Sequence, residues 1–147
     1  MTKAKAKTNV LLVDDEALFV DVIEKRLKKR DISIATAASG QEALEKLSET
    51  DRFEVVILDV KMPVMDGIET LAKIKKRHPL VEVIMLTAHA TIESAIDGMK
   101  LGAFDYLMKP CEIEELVEKV EKAAGRKRGQ EEKILEARLQ EISLRHG

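Results

Sequence analysis

Three aspartates, a threonine and a lysine are the residues of this sequence whose types and places could do chemistry. Asp14 and Asp15 are adjacent and follow the apolar run at 10–13. Asp59 follows residues 55–58, Thr87 closes residues 82–87, and Lys109, with Pro110 after it, closes residues 105–109. Taken alone, an Asp-Asp pair reads as a loop start or helix cap, because Asp side chains accept hydrogen bonds from nearby backbone. Asp59 reads differently, since a charge at the end of a strand as apolar as VVIL loses hydration and needs a partner. Carboxylates brought together repel and raise at least one carboxyl pKa unless a cation sits among them. Hard oxygen ligands at that density suit Mg²⁺, with Mn²⁺ an alternative, because Mg²⁺ takes few carboxylates and keeps places for water and phosphate oxygens. Lys109 supplies compensating positive charge, and Thr87 offers a hydroxyl beside the small Ala88.

These residues meet only if the right elements carry them. Short β-rich runs at 9–13, 33–37, 55–59, 82–87 and 105–109 alternate with helical periods, the pattern of a parallel sheet with crossover helices. The third and fourth runs are apolar nearly throughout, as strands buried on both faces should be. Helices are predicted at 17–29 (stripe Leu18, Val22, Leu27), 40–48 (Ala43, Leu44, Leu47) and 67–77 (Ile68, Leu71, Ile74). Two more follow at 91–101 (Ile92, Ala95, Ile96, Met99) and 112–124 (Ile113, Leu116, Val117, Val120). The expected fold is α/β: a three-layer (βα)5 doubly wound parallel sheet of flavodoxin-like order 2-1-3-4-5. Its strand order reverses between strands one and three, so Asp14-Asp15 and Asp59 would straddle the crevice at the carboxyl ends of the strands. All five residues lie at that end.

With 147 residues, 45% of them hydrophobic, the chain can bury one core and is too short for two ordinary domains. Residues 1–8 read as a disordered basic leader, 9–124 as the domain, and 125–147 as a C-terminal linker or helix. In that last segment Leu135, Leu139 and Ile142 share one face of what reads as a separate terminal helix. Two heptads are too few for a coiled coil alone, so a solvated linker is the plain reading and homodimer contact the alternative. Lys and Arg total 25 against 27 Asp and Glu, which leaves no global field toward nucleic acid or an anionic membrane. The apolar runs are about strand length, far below the ~18 residues of a membrane span, and no secretory signal follows the leader. A single cysteine, Cys111, allows no internal disulfide and suits a reducing compartment, so the cytoplasm is expected. Cys111 itself reads as a small buried filler.

In order and context, VLLVDDE, VVILDVKMPVMDGIETL, VIMLTAHA and GAFDYLMKP resemble the receiver domains of two-component response regulators over about residues 8–124. The resemblance implies a phosphorylation-dependent switch and not an enzyme: Asp59 accepts phosphoryl from a phosphohistidine on a sensor histidine kinase or phosphotransfer protein. It implies that Asp15, Asp59 and the backbone carbonyl of Lys61 ligate Mg²⁺, with Asp14 acting through metal-bound water. Lys109, Thr87 and the Ala88 backbone would contact the phosphoryl group. Thr87 and Tyr106 would form the switch pair that remodels the surface of helix four, strand five and helix five for an output protein. The Lys109-Pro110 bond is expected to be cis, Pro63 and Gly67 to shape the loop after strand three, and Lys61 and His89 to tune the lifetime of the acyl phosphate.

A metal-dependent phosphatase of the haloacid dehalogenase type also uses an aspartyl phosphate, but its Asp-x-Asp after the first strand is here Asp14-Asp15-Glu16-Ala17, and no length remains for a cap domain. A flavin-binding domain of the same fold would set three aspartates against an anionic phosphate with no Gly-rich or Ser/Thr-rich first loop to cradle it. Retention of all five residues argues against a pseudo-receiver that only binds proteins. Residues 87–110 resemble receivers attached to transcriptional activators with an ATPase module, and no such module follows within this chain. No basic recognition stripe is evident, so direct DNA binding is not expected.

Overall fold

The computed structural model describes residues 7–146. Elements alternate along the chain: β1 (Thr8–Val13), α1 (Ala17–Lys28), β2 (Ile32–Ala37), α2 (Gly40–Glu49), β3 (Val55–Leu58), α3 (Gly67–Arg77), β4 (Glu82–Thr87), α4 (Ile92–Lys100), β5 (Asp105–Met108) and α5 (Ile113–His146). The strands are parallel and lie in the order β2-β1-β3-β4-β5. The doubly wound sheet predicted from the sequence is therefore the fold observed.

Because side chains alternate across a strand, the central strands feed two cores. Leu11, Val13, Val56, Leu58, Val83 and Met85 face one side, where Leu44 and Leu47 of α2 and Leu71 and Ile74 of α3 cover them. Val10, Leu12, Val55, Ile57, Ile84 and Leu86 face the other, under Ile23 and Leu27 of α1 and Leu116 and Val120 of α5. Each fully buried Leu or Ile contributes roughly 1.5–3 kcal/mol, so the sheet is a rigid platform for whatever its edge carries. Side-chain caps start the helices on the first core's side: Ser39, Asp66 and Thr91 accept from the backbone N–H three residues on, in α2, α3 and α4.

Two predicted stripes face elsewhere. On α1, Ile23 and Leu27 are buried and Phe19 and Val20 pack beside them, whereas Leu18 and Val22 are exposed. The helix is apolar around much of its girth, so periodicity admits two neighbouring faces and packing chooses the one at 19, 23 and 27. On α4, Gly98 is buried and Ala95 half-buried, while Ile92, Ile96 and Met99 stand exposed. Gly98 faces the ring of Tyr106: a Cβ added there would meet Cδ2 at 3.5 Å, an ordinary van der Waals contact.

Both ends also differ from expectation. Positions 1–6 of the predicted leader lie outside the described residues, but Thr8 belongs to β1 and is buried, its hydroxyl donating to Glu121 at 3.2 Å. At the other end, no break separates a terminal helix: α5 runs unbroken from Ile113 through Gly125 and Gly129 to His146. What carries it past the glycines is a set of ion pairs under the sheet. Arg126 lies 3.2 Å from Glu82, which opens β4. Arg128 forks onto Glu54 just before β3, donating at 2.5 and 2.9 Å, and also donates to Thr8 at 3.3 Å. Lys127 adds a pair with Glu131 one turn along, at 2.7 Å.

Candidate functional site

The sheet ladder extends one residue past three strands, and this sets the site. The Asp14 N–H donates to Ala37 of β2 at 3.1 Å, the Asp59 N–H to Val13 of β1 at 3.0 Å, and the Lys109 N–H to Thr87 of β4 at 2.9 Å. Since Val13 pairs with Leu58, Asp14 and Asp59 leave adjacent strands at one level. Asp14, Asp15 and Asp59 each offer a carboxylate oxygen, and these oxygens all lie within 4.8 Å of one another. Asp14 and Asp59 are buried and Asp15 is exposed.

Lys109 is the countercharge. Its ammonium donates to Oδ2 of Asp14 at 2.7 Å and lies 3.7 Å from Glu16 and 4.0 Å from Oδ2 of Asp59. Asp14 also accepts from the Glu16 N–H at 2.9 Å. Burial pushes the Asp14 carboxyl above its ordinary range and the Asp59 carboxylate adds to the rise, against the lowering pull of the Lys109 bond. Asp59 keeps one oxygen, Oδ1, buried with no hydrogen-bond partner. A buried, unpartnered carboxylate oxygen beside two other carboxylates is the environment a hard divalent cation relieves, so the donor set fits Mg²⁺.

The approach to this cluster is a cleft of about 410 Å³ lined by Asp15, Glu16, Lys61, Met62, Pro63 and His89. Gly67 packs against the backbone of Asp59 and Val60. As the first residue of α3 it donates to the Val60 carbonyl at 2.7 Å, and a Cβ there would lie 2.0 Å from the Asp59 carbonyl oxygen. The loop-shaping and helix-start readings of Gly67 are thus one constraint. The Lys109-Pro110 bond is cis, as the resemblance implies.

Thr87 is fully buried at the end of β4, and its hydroxyl accepts from the His89 N–H at 3.0 Å. Tyr106 sits apart from the carboxylates. It pairs in register with Met85, its ring is half-buried against the first core, and its hydroxyl is hydrogen-bonded to Ser94 of α4 at 2.7 Å. Cys111 is half-buried against the second core; burial, with the carboxylate of Glu115 second, pushes its thiol up.

Residues 10–121 match the family model of the response regulator receiver domain. The chain belongs to this family. Among curated proteins it is 36% identical over 124 residues to the transcriptional regulatory protein ZraR of Salmonella typhimurium, covering 84% of this chain and 28% of that protein. With the DNA-binding transcriptional regulator NtrC of Klebsiella pneumoniae it shares 41% identity over 112 residues, covering 76% and 24%. The chain thus spans about a quarter of the length of these relatives. Among solved structures, a receiver domain protein from Clostridium thermocellum superposes with a TM-score of 0.79 at 37% identity, covering 82% of this chain and 97% of that one. A CheY-like receiver from Methanospirillum hungatei gives 0.79 at 30% identity, covering 84% and 98%.

Within this receiver, sequence reasoning passed over Ser94, Glu16 and Phe19. Ser94 is visible from sequence only as the second partner of a Thr-x-x-Ser cap. Glu16 and Phe19 gave a weak signal, an acid and an aromatic within five residues of Asp14, but their contacts are with a lysine some 90 residues later and need the fold to be seen. No described helix is long and apolar enough to cross a membrane.

Proposed function

We propose that this receiver is switched by phosphorylation of Asp59, with a sensor histidine kinase or phosphotransfer protein as donor. The observation that carries the reading is the state of Asp59: buried, one oxygen unpartnered, between two other carboxylates and 4.0 Å from an ammonium. An Asp59 oxygen attacks phosphorus, the P–N bond to the donor imidazole breaks, and the imidazole leaves with its electron pair. Asp15, Asp59 and the Lys61 carbonyl would hold Mg²⁺ directly and Asp14 through water; once bound, the ion screens the carboxylates and neutralises charge on the phosphoryl oxygens. Lys109, the Thr87 hydroxyl and the Ala88 backbone take the remaining phosphoryl oxygens. The chain acts on itself alone, as a phosphoacceptor and not a turnover enzyme.

Pulling Thr87 toward the phosphoryl group removes its oxygen from the His89 N–H and alters the wall beside Tyr106. The ring, tied to Ser94, transmits that change to α4. The exposed Ile92, Ile96 and Met99 of α4 and Met108 of β5 give this face an apolar surface for an output protein. Leu135, Leu139 and Ile142, exposed on the extension of α5, support homodimer contact there. The cytoplasm, where such kinases hold ATP, is the compartment this reading requires.

Incubation with Mg²⁺ and acetyl phosphate, read by intact mass, tests the assignment. Wild type gains one phosphoryl group and Asp59→Asn gains none. Labelling of both proteins, or of neither, refutes Asp59 as acceptor, and donor turnover without labelling favours the phosphatase alternative.

A further inference from the structure

The Lys109 ammonium has one more neighbour. It sits over the ring of Phe19, 3.8 Å from the centroid. Only about a tenth of the Lys109 side chain is exposed, so the ammonium depends on protein groups for much of its solvation. One N–H goes to Asp14, and Glu16 and Asp59 lie beyond ordinary hydrogen-bond length. The remaining side is closed by the ring, whose face carries the negative end of its quadrupole. Phe19 itself packs against the second core, in the first turn of α1. A hydrocarbon wall of the same size would fill that space without attracting the charge.

We infer that Phe19 is a positioning residue for phosphoryl transfer, acting through Lys109. Its ring face holds the ammonium at the height of the Asp59 carboxylate while the lysine exchanges Asp14 for a phosphoryl oxygen. The inference rests on the reading of Asp59 as phosphoacceptor. It adds a requirement that reading does not contain: residue 19 must be aromatic and electron-rich, and an aliphatic side chain there loses rate even when the fold is intact.

The test is the initial rate of mass labelling of the full chain with Mg²⁺ and acetyl phosphate. Phe19→Leu is expected to slow labelling about three- to tenfold, as loss of a desolvated cation–π contact implies. Phe19→Tyr and Phe19→Trp should stay within about twofold of wild type. In a Lys109→Met background, Phe19→Leu should add nothing, because its effect passes through the lysine. Phenylalanines of rising fluorine content at position 19 keep the shape while draining the ring face, and should slow labelling step by step. That series carries the test should Phe19→Leu fold poorly. A flat fluorine series, or equal slowing in the Lys109→Met background, overturns the proposal while leaving Asp59 standing. A wild type that does not label overturns both.

Discussion

Replacing Gly67 by alanine should disable the site from behind. The added carbon would lie 2.0 Å from the Asp59 carbonyl oxygen and 2.7 Å from Cα of Val60, where ordinary contact begins at 3.4 Å. Backbone must therefore retreat by about 1.4 Å in total. Both groups in conflict are main chain, so no side-chain rotation relieves them. If α3 and the end of β3 share the movement, Asp59 shifts by about half of it. A 1 Å error in a reacting group can cost ~100-fold in rate, so labelling by acetyl phosphate should slow by about tenfold or more. Overpacking of this kind costs about 1–3 kcal/mol, a melting temperature lower by roughly 3–10 °C in a chain of this size. Gly125→Ala is the matched control, because nothing lies within 4 Å of the position and the residue is inside α5. It should raise stability by about 0.5–1 kcal/mol and leave labelling unchanged. Labelling of Gly67→Ala within about threefold of wild type, with an unchanged melting temperature, would refute the close approach on which this reasoning depends.

Two further outcomes are expected. Arg128→Met leaves the largely buried Glu54 carboxylate with the Asn9 N–H and no forked cation, at a cost of about 1–2 kcal/mol after discounting for the partly exposed guanidinium. Burial opposes ionisation of Glu54, but Arg128 holds its pKa below the ordinary 4.5, so the stability gap between the proteins should be full at pH 7 and close as pH falls below about 4.5 in thermal melts. Ser94→Ala removes the partner of the Tyr106 hydroxyl; since Tyr106 is the sole tyrosine and no tryptophan is present, collisional quenching of tyrosine emission reads this ring alone and should increase. An unchanged quenching constant would show that the hydrogen bond does not hold the ring.

The strands and the carboxylate cluster were legible in the sequence because each depends on short-range signals: unbroken apolar runs at 10–13, 55–58 and 83–86, the first two followed at once by Asp14 and Asp59 and the third by Thr87. Doubly wound topology then forces those charges to one edge. Helix faces were less legible. Leu18 and Val22 are as apolar as Ile23 and Leu27, and only the angle at which α1 meets the sheet separates them. On α4 it is Gly98 and Ala95 that turn inward, and the larger apolar side chains at 92, 96 and 99 are left exposed. The continuity of α5 was hidden for another reason: Gly125 and Gly129 favour termination locally, and the ion pairs that outweigh them reach residues 44 and 74 positions away in sequence, with a hydrogen bond to Thr8 120 positions away. Distance in sequence also concealed the packing of Lys109 on Phe19.

The ties of Arg126 and Arg128 to the bases of β4 and β3 also make the long helix a lever with its fulcrum beneath the sheet. From Arg128 to His146 there are 18 further residues, about 27 Å of helix at 1.5 Å each. A tilt of about 10° at the fulcrum carries the far end roughly 5 Å, close to one helical turn, the step by which packed elements ratchet past one another. Small rotations of α5 against the sheet are thereby converted into displacements large enough to change which residues meet whatever lies at the tip.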